Sequence, residues 1–90
     1  MANMSTSQNA LSTASEVIGV TDGRRIRLTI LNMDSSITVY FGNATGVTSA
    51  TGFPLKAGAG FTFEGSSAGG EIYGIAASGT PSIAIVEEYS

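Results

Sequence analysis

From Glu16 onward, clusters of Gly, Asp, Asn, Ser and Pro break the chain roughly every 8–12 residues, and no apolar stripe of helical period runs between them. That spacing leaves room for short strands and tight turns but not for the helices that an alternating α/β chain needs. The expected fold is therefore all-β: a small antiparallel β-sandwich or barrel of six to seven short strands.

The first strand is expected over Glu16 to Thr21, closed by Asp22-Gly23. Arg24 to Met33 follows, with Ile26, Leu28 and Ile30 on one face and Arg25, Arg27 and Thr29 on the other, because side chains alternate along a strand. Asp34-Ser35-Ser36 is a turn sequence, which predicts a hairpin between that strand and Ile37 to Phe41. Pro54 lacks an amide proton and belongs to an edge or a loop. Phe61 to Glu64 is a strand with both Phe rings on one face, and Glu71 to Ala77 and Ser82 to Tyr89 complete the set. Ile83 to Val86 is continuously apolar, so both faces of the last strand call for cover.

Residues 1–15 differ from the body, 16–90. They are rich in Ser, Thr and Asn, and Leu11 is their one large aliphatic side chain, so alone they bury too little to offset ordering entropy. They are expected to form an extended N-terminal arm that lies on a neighbouring subunit or packs back on its own domain. Size adds to the case for neighbours. Gly, Ser, Thr and Ala make up half of the 90 residues, and a core this small seldom supplies more than about 3–5 kcal/mol. With no Cys to form disulfides, the remaining device is self-association.

The absence of Cys and His removes thiol nucleophiles, imidazole acid/base chemistry and most zinc sites. Adjacent Glu87 and Glu88 fall on opposite strand faces and do not form a paired-carboxylate site, and no Ser-x-x-Lys precedes Lys56, the one Lys. A non-enzyme with no cofactor and no metal is expected. Four basic residues against seven acidic ones argue against a nucleic-acid partner, and no apolar run is long enough to span a bilayer as a helix, so no membrane partner is expected either. Residues 1–15 also lack the basic and apolar regions of an export signal, which predicts synthesis in a cytoplasm.

The candidate contact residues are Arg24, Arg25 and Arg27, with Glu87 and Glu88 as carboxylate partners on a sister subunit and Leu11 as the apolar contact of the arm. The plainer alternative is a solvated face of arginines. The four Phe are core material first; the functional alternative for the aromatics is a sugar-stacking platform built from Tyr40 and Tyr73 on the faces opposite their apolar strand neighbours.

Four blocks in fixed order carry a resemblance: Ile37-Thr38-Val39-Tyr40-Phe41-Gly42; Gly46-Val47-Thr48; Gly52-Phe53-Pro54-Leu55-Lys56-Ala57-Gly58; and Glu71-Ile72-Tyr73-Gly74-Ile75-Ala76-Ala77-Ser78-Gly79 preceded by Gly70. Together they resemble small virion proteins of tailed bacteriophages, the β-sandwich proteins that decorate or cement phage heads, with related domains in head fibres and tail-associated proteins. The resemblance implies a structural capsid decoration protein with no catalytic residues or cofactor. It also implies contact with the major capsid protein, self-association as a homotrimer, and a place on the capsid surface of the virion. A tail- or fibre-associated receptor- or glycan-binding module and a head-to-tail connector component are the alternatives.

Overall fold

The computed structural model describes residues 3–19, 22–43, 46–64 and 69–89, which form eight β-strands. In chain order these are β1 (Asn3–Ala10), β2 (Glu16–Gly19), β3 (Arg25–Asn32), β4 (Val39–Gly42), β5 (Phe53–Leu55), β6 (Gly60–Glu64), β7 (Ile72–Ala76) and β8 (Ser82–Tyr89). Two antiparallel four-stranded sheets result, ordered β1-β8-β3-β6 (sheet A) and β2-β7-β4-β5 (sheet B). Each sheet interleaves early and late strands, which is the arrangement of a jelly-roll sandwich. Expected loop or strand-end positions at 20–21, 44–45 and 65–68 lie outside the described residues.

The strand count is eight rather than six or seven. The added element is β1, which pairs with β8 in unbroken register from Asn3↔Tyr89 to Ala10↔Ser82. The division into an arm at 1–15 and a body at 16–90 gives way to one sandwich, with the N-terminal segment packed back on its own domain. Its anchor is Leu11, which is 1% exposed in the core, while its N–H donates to the Pro81 carbonyl at 2.9 Å. Gly74 makes room for this anchor, since a Cβ there would stand 3.3 Å from Leu11 and 3.2 Å from Ile18.

The core lies between the sheets. Leu28, Ile30, Ile83 and Ile85 from sheet A meet Ile18, Val39, Phe41, Leu55, Ile72 and Ala76 from sheet B. Burial of this apolar area, worth about 25 cal/mol per Å², is the main term that holds the sheets together.

The predicted hairpin between Arg24–Met33 and Ile37–Phe41 does not form. β3 pairs with β6 and β8, whereas β4 pairs with β5 and β7, so the chain crosses from one sheet to the other at the Asp34 turn. Asn32 fixes this corner. It is fully buried, its side-chain amide donates to the carbonyls of Ile37 (2.8 Å) and Leu55 (2.9 Å), and its Oδ1 accepts from the Asp34 N–H (3.0 Å). Asp34 then accepts from the N–H groups of Ser36 (2.9 Å) and Ile37 (2.7 Å), contacts that hold its carboxyl below the usual carboxylate range. A turn signal marks where a chain bends, and the buried amide decides which sheet it enters.

Candidate assembly interface

The arginine cluster was expected on one strand face. A register break between Arg25 and Arg27 splits it instead: Ile26 is the extra residue opposite β8, so Arg25 turns inward with Leu28 and Ile30 while Arg27 turns outward. The Arg25 side chain is 0% exposed. Its Nη1 donates to Glu87 Oε2 at 2.9 Å and its Nη2 to the Gly70 carbonyl at 2.7 Å, while Tyr89 donates its hydroxyl to the same Glu87 oxygen at 3.1 Å. Burial and the Glu87 carboxylate together push the Tyr89 hydroxyl up from its ordinary pKa.

Outside, Arg27 spans three strands. Its Nη1 donates to Glu88 Oε1 on β8 at 2.6 Å and its Nε to Glu64 Oε2 on β6 at 3.0 Å. Both contacts raise its pKa above the arginine norm. The residue types singled out as partners do meet, and Glu87 and Glu88 face opposite ways as alternation requires. The pairing, however, is within one chain. Arg25 and Leu11 are sealed in the interior and offer nothing to a neighbour, while Arg24 stands exposed with its guanidinium 4.0 Å from Asp22.

What remains open to a partner lies elsewhere. Along β1 every side chain from Met4 to Ala10 is exposed, Met4 by 69%. Register places Met4, Thr6 and Gln8 on the outward face with Glu88, Val86 and Ala84, and Ser5, Ser7 and Asn9 on the inward face, where nothing of sheet B covers them. β1 is thus bound through its main chain to β8 alone. Across sheet A the outward surface is mixed: Thr29 and Thr62 share a hydrogen bond at 3.0 Å beside the Glu64–Arg27–Glu88 ladder, and exposed Met4 and Leu31 lie on the same face.

Sheet B's outward face is more uniformly apolar. Val39, Phe41, Ile72, Gly74 and Ala76 point inward, so Tyr40 and Tyr73 point out, diagonal to one another across the β4–β7 pairing and flanked by Val17, Ile75 and Pro54. Tyr73 donates to Glu71 Oε1 at 2.9 Å, which raises its pKa. At the edge where β5 and β6 approach, Phe41 stacks within 5.2–5.3 Å of Phe53, Phe61 and Phe63, and Phe53 remains 54% exposed. A cleft of about 630 Å³ opens there, with Asn43, Thr51 and Glu71 as its polar side chains. Three of the four Phe are buried or packed against the core as expected, and the fourth lies on the surface. Among the described residues no three carboxylates gather as a metal site, and no helix is long and apolar enough to cross a membrane.

Sequence reasoning expected the N-terminal segment as an arm but missed it as a strand, β1. Its only textual sign is eight residues without a charge, a proline or a glycine.

No protein-family model and no curated protein matches this sequence. Among solved structures the fold is similar to a Bacillus endospore appendage protein, described as one of a novel family of disulfide-linked pili, with a TM-score of 0.58, 15% sequence identity, and coverage of 100% of this chain and 87% of that one. At that identity the likeness is one of fold.

Proposed function

We propose that this chain is a structural subunit of a tailed-phage particle, a decoration protein that binds the outside of the head and cements adjacent capsomers through many repeated non-covalent contacts. The carrying observation is that a single small sandwich holds two unlike surfaces on different sides: the uncovered polar strand β1 and the apolar outward face of sheet B around Tyr40 and Tyr73. A subunit that bridges needs at least two such surfaces, and the choice of a phage head as the particle rests on the order of sequence blocks that resembles phage-head proteins. The major capsid protein is the proposed partner. Each contact is weak, but repetition over a shell adds their free energies and resists the pressure of packaged DNA. The family of that fold neighbour is described as disulfide-linked pili, whereas this sequence has no Cys, so the contacts proposed here involve no disulfide of these residues.

Mixing the purified protein with undecorated heads and imaging them tests the proposal: ordered density on the shell supports it, and bare shells at saturating protein reject it. The diagonal Tyr40–Tyr73 pair favours one second reading, a glycan-binding module of a fibre or tail, for which a glycan array is the direct assay.

A further inference from the structure

We propose that β1 is the seam of a two-fold homodimer, in which the β1 strands of two copies pair antiparallel and join their A sheets into one continuous eight-stranded sheet. The inference rests on the reading of the chain as an assembly subunit and names the first partner it meets, a second copy of itself.

The sandwich has four sheet edges, and an exposed edge invites pairing unless something blocks it. Three are blocked. β2 is four residues long with a register break between Val17 and Gly19; β5 is three residues long and contains Pro54; β6 is five residues long and ends in the ion-paired Glu64. β1 has none of these guards. It runs eight residues in unbroken register, carries no charge and no proline, and among the described residues has no strand on the side away from β8. Its main-chain donors and acceptors on that side repeat at strand spacing, and the ligand that matches such a row is another strand.

Side-chain chemistry selects the partner. A two-fold axis perpendicular to the sheet sets residues of the same face opposite one another, so Met4, Thr6 and Gln8 meet their own kind, and so do Ser5, Ser7 and Asn9. No like charges confront each other. Head-to-tail pairing of β1 with β6 of the next copy would instead set Ser5, Ser7 and Asn9 beside Phe61 and Phe63. A two-fold seam also turns both B sheets to the same side, so that a dimer presents two Tyr40–Tyr73 faces to one underlying surface and gains from bivalency. This replaces the threefold symmetry implied by the resemblance with a pair as the smallest unit.

Sedimentation equilibrium of the full chain from about 1 µM to about 1 mM, without any viral particle, tests the seam. The expected result is a reversible monomer–dimer equilibrium. The Thr6→Lys/Gln8→Lys variant should dimerise at least about tenfold more weakly, and so should the Thr6→Glu/Gln8→Glu variant, with strand circular dichroism retained in both. An equimolar mixture of the two should recover a dimer, because opposite charges then face each other across the axis. A wild-type monomer throughout the range, a trimer, or a dimer indifferent to both variants overturns the proposal. Because no shell is present, any of these outcomes leaves the decoration reading to its own imaging test.

Discussion

β1 and β3 are both eight residues long and flank the same strand, β8, yet they stand on opposite terms with the core. β3 buries Arg25, Leu28, Ile30 and Asn32, because sheet B lies across from it. β1 buries no described side chain and is held by its main chain alone. Membership of a sheet and membership of a core are therefore separable. The β3 side carries stability, while the β1 side is available for contacts between molecules, because changes in its side chains take nothing out of the interior.

The sharpest way to break this comparison is to attack the buried clamp. Arg25→Met should cost about 3 kcal/mol in chemical denaturation, since it leaves Glu87 and the Gly70 carbonyl without their guanidinium partner; adding Glu87→Leu should restore much of the loss, as paired apolar replacement of an ion pair does. Leu11→Ala comes next, at about 3 kcal/mol or slightly less, and separates the anchor from the strand it follows. Removal of residues 1–10, which spares Leu11, should cost about 1 kcal/mol or less, because the lost main-chain hydrogen bonds are offset by the ordering entropy of the freed segment. A truncation as costly as Leu11→Ala would refute the division drawn here. The smallest effect concerns Asp34. Its carboxyl has a lowered pKa in the folded chain, so its contribution is complete above the ordinary Asp value near about 4 and fades as pH falls towards the folded-state value. Thermal melts should show that Asp34→Asn flattens the acid limb of the stability profile without altering the order of the other variants.

Much of the sandwich was legible. Ile83 to Val86 marked β8 with its observed bounds, Phe61 and Phe63 marked the inward face of β6, and Asp22 and Asp34 serve their own backbones as turn residues do. Three things were not legible, each for a physical reason. β1 has no apolar alternation, because neither of its faces is covered, so pattern could not reveal it. Sheet membership of β3 and β4 depended on Asn32, a residue whose burial follows from contacts distant in sequence. Arg25 was moved to the inward face by one inserted residue, Ile26, while Arg27 kept the expected outward face, and a strand alphabet of period two carries no mark for such a shift. Arg25 and Arg27 do meet Glu87 and Glu88, but these ion pairs lie within the chain, whereas the expectation placed them between subunits.

β8 is the last strand in sequence and lies between β1 and β3, strands from the first third. During synthesis, then, sheet A has a gap at its centre until Tyr89 has emerged from the ribosome, and Leu28 and Ile30 wait without Ile83 and Ile85 to cover them. Sheet A closes only once β8 is made, and its pairing with β1 closes a long loop, which slows folding. A nascent copy therefore exposes greasy strands to its neighbours on the same messenger for longer than a helical protein of equal length would.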